Sequence, residues 1–241
     1  MLNIKSQTLA VLAGGFGTRL NGVINSLPKA LAPIGSTPFL EIQMRNWRNQ
    51  GVQSFLFLLH HQADLIIDFL SRAKSSFCHD CNIDWVVESK PLGTGGSVVH
   101  GLKKHGLQGD FLLTNADTWL DSNFELLSAS KSPSILVVKV PDTSRYGSIE
   151  FNMKKKVLQI REKQEIAQAG WINAGLYHLN SELFCDFNES PMSLEREFFP
   201  TLVNKGVLNA ICGNGKFLDI GVPDDYFTFC EYAKLEGLGY A

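Results

Sequence analysis

The sequence predicts an α/β protein built on a largely parallel sheet. Three observations carry this: short β-rich runs alternate with helical patterns through the first half, glycine-rich loops follow two of those runs, and beyond Ser134 the alternation gives way to adjacent strand-like runs. A chain of 241 residues with 44% hydrophobic content can bury a sizeable core. No internal repeat, low-complexity tract or linker interrupts it, so one domain is expected over 1–241. Within it, about 1–133 carries the alternating pattern, about 134–222 the added strands, and 223–241 a C-terminal helix.

The first strand is expected at Thr8–Leu12, followed by a helix. The helix after Thr37 has Pro38 in its first turn, an apolar stripe at Leu40, Met44 and Trp47, and Gly51 just past its end. Strands at Ser54–Leu59 and Ile83–Glu88 each lead into a helix, the second opened by LGTGGS (92–97) and continuing through Val98 to Lys103; Asp110–Thr114 follows as a strand. Further strands read at Ser134–Val140, Gly147–Phe151, Val157–Arg161 and Ile172–Leu179, which predicts an antiparallel addition. Helices return at Leu194–Val203 and, after the stiff entry of Pro223, at Asp224–Leu235.

Composition narrows the function. Lys+Arg 22 against Asp+Glu 24 gives a net charge of -2, so nothing global attracts nucleic acid or an anionic membrane, and a phosphate site has to be local. The longest apolar runs, such as Leu9–Ala13 and Phe55–Leu59, fall far short of the roughly 20 residues of a membrane span. Five scattered cysteines without a secretory signal read as reduced thiols in a cytoplasmic protein; Cys78 and Cys81 form one CxxC, but no second ligand pair completes a zinc site.

LAGGFGTRL (12–20) places Gly14, Gly15 and Gly17 where the first strand gives way to a loop, and glycines there let backbone N–H groups approach phosphate oxygens. The loop lacks the Gly-Lys-Ser/Thr ending of a Walker A motif. It also lacks the acidic residue of a dinucleotide fingerprint, since Glu41 falls inside a helix. It does carry Arg19 at its end and Pro28-Lys29 soon after, two cations able to flank a triphosphate. The LGTGGS cluster puts a helix N-terminus beside a strand end, a setting that favours an anionic or polar ligand. Asp117, in NADTWLD just beyond Phe111–Leu113, stands at the carboxyl end of a strand, a good position for a metal carboxylate.

Taken in order, LAGGFGTRL, SLPKALAPIGSTPFLE, LGTGGS, NADTWLD, SRYGSIE, REK, WINAGLY, SLEREFFP and FLDIGVPDDY resemble the sugar-1-phosphate nucleotidyltransferase family from Leu9 to about Tyr226. SRYGSIE, SLEREFFP and DIGVPDDY look closer to its D-glycero-α-D-manno-heptose 1-phosphate guanylyltransferase branch. The resemblance implies a Rossmann-like three-layer α/β/α nucleotidyltransferase fold, with a nucleotide-binding part before about residue 133 and an antiparallel sugar-binding region after it. It implies that Leu12, Ala13, Gly14, Gly15, Gly17 and Thr18 surround the nucleotide with Glu88, Gly93 and Thr94, and that Arg19 and Lys29 contact its phosphates. It further implies Mg²⁺ on Asp117 and Asp219, sugar contacts from Gly147, Glu162 and Asn173, and Lys163 on the sugar's phosphate.

The reaction implied is attack by a sugar 1-phosphate oxygen on the α-phosphorus of a nucleoside triphosphate, releasing pyrophosphate, in bacterial surface polysaccharide synthesis. A phosphate monoester with second pKa about 6 is already largely dianionic at neutral pH, so no general base is required. Glu88 favours GTP independently, because guanine offers adjacent N1–H and N2–H donors to two carboxylate oxygens whereas uracil and thymine offer one N–H flanked by acceptors. A uridylyl- or cytidylyltransferase acting on another sugar 1-phosphate, and a non-catalytic nucleotide-sensing module, stay open as alternatives. No long C-terminal hexapeptide-repeat extension is visible.

Overall fold

The computed structural model describes residues 4–17, 20, 23–24, 27–161 and 167–239. In chain order its first half holds β1 (Thr8–Leu12), the two-residue strands β2 (Pro33–Ile34) and β3 (Thr37–Pro38), α1 (Phe39–Asn49), β4 (Ser54–Leu59), α2 (Ala63–Lys74), β5 (Asn82–Val87), α3 (Gly93–His105) and β6 (Asp110–Asn115). The strands β1, β4, β5 and β6 run parallel, with β1 between β4 and β6. In space they run β5-β4-β1-β6, so the direction of crossover reverses between β1 and β6. That reversal opens a crevice at the carboxyl ends of those two strands, where open α/β sheets bind ligands.

The helices cover both faces because each carries one apolar stripe. From α1 and α2, Leu40, Met44, Trp47, Ile66, Phe69 and Leu70 pack on Leu9, Val11, Phe55 and Phe57. On the opposite face Val98, Val99 and Leu102 of α3 lie on Ala10, Leu56 and Leu58. Gly101 permits that close approach, since a Cβ there would fall 2.3 Å from Leu58 Cδ2. The result is the three-layer α/β/α arrangement expected.

The second half contains β7 (Thr118–Leu120), α4 (Phe124–Ser128), β8 (Ser134–Val140), β9 (Ser148–Phe151), β10 (Val157–Arg161), β11 (Gly170–Asn180), a π-helical turn at Leu194–Phe198, α5 (Phe199–Asn204), β12 (Asn209–Gly213), β13 (Phe217–Asp219) and α6 (Pro223–Leu235). It continues the same sheet: β11 pairs antiparallel with β6, β8 and β9. The pairing of β11 with β8 shifts register between Asn173 and Tyr177, around Gly175 at φ +70°.

The helix expected between the first strand and Ser54–Leu59 is α1, Phe39–Asn49. Two expectations are corrected. Pro38 caps that helix rather than sitting within its first turn. The helix expected over Leu194–Val203 starts as a π turn. The four strands expected beyond Ser134 pair antiparallel among themselves, and a further strand, β12, pairs parallel to β8.

Candidate active site

The glycine loop leaves β1 at the reversal point and is fixed from two sides. Ala13 N–H donates to the Leu58 carbonyl at 3.0 Å and Ala116 N–H to the Leu12 carbonyl at 3.0 Å. Its glycines serve different ends. A Cβ on Gly14 would sit 3.0 Å from His60, and Gly17 adopts φ +63°, so both are required by the chain itself. A Cβ on Gly15 would meet nothing, so at that position the loop borders open space. Two adjoining clefts, about 270 and 330 Å³, share Leu12, Gly15, Phe16 and Asp117 as walls.

Opposite the loop, Lys29 meets two carboxylates. Its ammonium donates to Asp117 Oδ2 at 2.6 Å and lies 3.9 Å from Asp219 Oδ1. Pro28 sets up the turn that presents Lys29, through the Leu31 N–H bond to the Pro28 carbonyl at 2.8 Å. Sequence distance hides why the two aspartates meet: β13 pairs antiparallel with β7, setting Asp219 opposite Thr118, and Ile220 N–H donates to the Asp117 carbonyl at 3.0 Å. Burial and then repulsion from Asp117 push the Asp219 carboxyl above its ordinary range, against the pull of Lys29. The crowding of two carboxylates is partly offset by one ammonium, and a hard divalent cation fits such a set, taking one or two carboxylates and completing its shell with substrate phosphates and water. Among the described residues no group of three or more His, Cys, Asp or Glu forms a dedicated metal cage.

The second glycine cluster differs from its sequence reading. Gly95 and Gly96 N–H groups, at the start of α3, donate to the Met192 carbonyl at 2.9 and 3.2 Å and are not free for an anion. Cβ atoms on Gly93 and Gly96 would fall 2.7 and 2.4 Å from the carbonyls of Met192 and Ser190, so these glycines seat the 190–192 backbone against α3. Glu88 is 7% exposed and its Oε2 accepts from Leu92 N–H at 3.0 Å, which ties it to the same turn. Oε1 has no protein donor among the described residues, and Glu88 lines the larger cleft together with Gly93 and Thr94.

On the side of the added strands, Asn173 is held by its own neighbours. Its Oδ1 accepts from Gly175 N–H at 2.9 Å and its Nδ2 donates to the Tyr177 hydroxyl at 2.8 Å. One amide hydrogen and one acceptor lone pair remain for another partner. Gly147 stands against the end of β10, where a Cβ would fall 2.8 Å from the Arg161 carbonyl. Thr18, Arg19, Glu162 and Lys163 lie outside the described residues. The sequence reading passed over His60, Phe16, Asn115 and Glu195, which also line the larger cleft. His60 Nδ1 bonds the Glu88 carbonyl at 3.1 Å, and the Phe16 and His61 ring centroids are 5.0 Å apart. Phe16, Asn115 and Glu195 lie within the motifs LAGGFGTRL, NADTWLD and SLEREFFP, whereas no motif marks His60.

Comparison with known proteins gives the chain relatives among guanylyltransferases. The chain is 31% identical over 91% of its length to the D-glycero-alpha-D-manno-heptose 1-phosphate guanylyltransferase of Campylobacter jejuni, covering 96% of that protein. It is 30% identical to the mannose-1-phosphate guanyltransferase of Schizosaccharomyces pombe over 90% of its length, but spans only 62% of that relative. Its fold superposes on the crystal structure of HddC from Yersinia pseudotuberculosis with TM-score 0.82 at 33% identity, over 94% of this chain and 99% of that one. The same neighbour in complex with GMP-PN gives TM-score 0.81 at 33% identity, with the same shares of both chains covered. Residues 9–234 match the family model described as nucleotidyl transferase, and the chain belongs to that family.

Proposed function

We propose that this protein transfers GMP from GTP to D-glycero-α-D-manno-heptose 1-phosphate, releasing pyrophosphate. The observation that carries the reading is the convergence of Lys29, Asp117 and Asp219 in front of the glycine loop, at the reversal point of the sheet. Likeness over nearly the whole chain to the heptose 1-phosphate guanylyltransferase of Campylobacter jejuni, and to HddC, whose structure holds GMP-PN, supports the choice of substrates.

The chemical difficulty is electrostatic, because a sugar phosphate dianion has to approach a triphosphate to within about 3–3.5 Å at the reacting atoms. Backbone N–H groups of the glycine loop hold the triphosphate, with Arg19 at the loop's end. Lys29 moves its ammonium from Asp117 towards the α-phosphate and stabilises charge as pyrophosphate departs. Asp117 and Asp219 would hold Mg²⁺, whose charge would offset the repulsion of the two polyanions. Lys163 aligns the attacking phosphate, and Gly147, Glu162 and Asn173 border the sugar. No general base is required. Glu88 Oε1, with the second lone pair of Oε2, accepts from guanine N1–H and N2–H.

The test is pyrophosphate release by the purified protein, with Mg²⁺, for every pairing of GTP, UTP, CTP and dTTP with a panel of sugar 1-phosphates that includes heptose and mannose. GTP with the heptose should give the highest kcat/KM. A clear UTP preference would overturn the base assignment, and a better hexose substrate would overturn the sugar.

A further inference from the structure

His60 is the first residue beyond β4, and β4 lies in the sheet between β1, which leads into the glycine loop, and β5, which ends at Val87 just before Glu88. It touches both neighbours. A Cβ on Gly14 would sit 3.0 Å from the His60 backbone nitrogen and from its β-carbon, and the following N–H, of His61, donates to the Gly14 carbonyl at 3.4 Å. On the other side Glu88 N–H donates to the Leu59 carbonyl at 2.8 Å, one bond past the paired residues of β4 and β5. Glu88 lies beyond the end of β5, and its carbonyl accepts from His60 Nδ1 at 3.1 Å. A carbonyl only accepts, so Nδ1 carries the proton. The Phe16 ring of the glycine loop meets the imidazole edge-on, with centroids 5.7 Å apart.

Glu88 is therefore held at three atoms: its N–H by Leu59, its carbonyl by His60 and its Oε2 by Leu92 N–H. Leu59 and Leu92 hold it through backbone groups, which most residue types at those positions would supply equally. His60 holds it through a side chain, and the same residue packs on Gly14. The spacing between the glycine loop and the Glu88 carboxylate is thus set across one residue, and all three line the larger cleft. Two-point pairing of a carboxylate with adjacent N–H groups needs both oxygens in place together, so it tolerates little displacement of Glu88.

We propose that His60 is a positioning residue for nucleobase selection: its Nδ1–H fixes the Glu88 backbone relative to Gly14 and so places the carboxylate that reads guanine. This rests on the guanylyltransferase reading above, with Glu88 accepting from guanine N1–H and N2–H. The role resides in Nδ1. An asparagine amide nitrogen can take the place of Nδ1, whereas a glutamine amide reaches to the place of Nε2, so Asn substitutes for His60 and Gln does not.

The experiment measures kcat/KM for GTP and for inosine triphosphate, which lacks only the N2 amino group, with heptose 1-phosphate as acceptor. Wild type, His60→Ala, His60→Asn, His60→Gln, Glu88→Gln and the double variant His60→Ala with Glu88→Gln are compared. Wild type should prefer GTP by about tenfold or more, because a site built to accept from an N–H rejects the analogue without it. His60→Ala should remove most of that preference, His60→Asn should retain most of it, and His60→Gln should behave as His60→Ala. In the Glu88→Gln background, His60→Ala should change the ratio no further. Each ratio compares two substrates on one preparation, so a less stable variant still gives a valid reading. A GTP preference preserved in His60→Ala would overturn the proposal, whatever the melting temperature. So would retention by His60→Gln in place of His60→Asn, which would give the ring a direct contact through Nε2, or a further fall in the double variant. Absence of pyrophosphate release by wild type, or its equal use of both nucleotides, would remove the parent reading and this inference together, whereas the other failures remove the inference alone.

Discussion

The parallel half and the added half of the sheet build their walls of the site in different ways. Before about residue 133 each wall is the loop directly following a strand, fixed by one or two backbone bonds such as Ala13 N–H to the Leu58 carbonyl. After it, the walls come from partners far apart in sequence: Asp219 reaches Asp117 through the β7–β13 ladder, and Asn173 is aimed by the irregularity in β11 around Gly175. The position of Asp219 and Asn173 therefore depends on strand pairing, whereas that of the glycine loop depends on local backbone bonds.

The strongest way to break this comparison is Lys29→Ala. It should lower kcat by about 100-fold or more with the melting temperature preserved; near-normal turnover would show that the parallel half only binds and does not activate. Asp219→Asn should come next, abolishing most Mg²⁺-dependent pyrophosphate release and flattening the response to added Mg²⁺. A variant that keeps the wild-type response would separate the β7–β13 ladder from the chemistry. Glu88→Gln should lower kcat/KM for GTP by about tenfold and narrow the gap to UTP, because an amide presents a donor where guanine also donates. An unchanged GTP preference in the competition assay would leave Glu88 with only its bond to Leu92.

Gly175→Ala tests the added half directly. At φ +70° its Cβ would fall 2.7 Å from Asn115 Nδ2. The expected cost of about 1–3 kcal/mol should appear as a melting temperature lower by several degrees in a thermal scan; a variant as stable as wild type would show that the irregularity is adjustable. The smallest effect concerns thiols. Burial, then Cys81, pushes the Cys78 thiol up to about 12, whereas Cys185 is exposed. A thiol reagent at pH 8 should modify Cys185 promptly and Cys78 only on unfolding, since the thiolate fraction of Cys78 is then about 10⁻⁴.

Most of the parallel half was legible because its signals are local: Thr8–Leu12 and Ser54–Leu59 are strands with the bounds expected, and Gly51 ends α1 at φ +99°. Asp117 was legible from its place after an apolar run. What escaped is non-local. The three-residue strands β7 and β13 are too short to show a period, yet they bring the two aspartates together. The LGTGGS cluster reads as a helix N-terminus open to a polar or anionic ligand because nothing in the sequence reveals that Met192 and Ser190 lie on those glycines. The π turn likewise depends on Phe198 and Phe199 packing into the core, which a pattern of 3.6 residues does not distinguish from an ordinary helix.

The bond from Lys29 to Asp117 has a consequence for the order in which charges arrive. An ammonium held at 2.6 Å acts as a tethered counter-ion, so the site does not present two bare carboxylates to any passing cation. On the proposed function, a metal ion arriving alone at Asp117 would have to displace Lys29, whereas one arriving with a polyphosphate would offer Lys29 a new anion in exchange. Lys29 would in that way favour metal with nucleotide over metal alone.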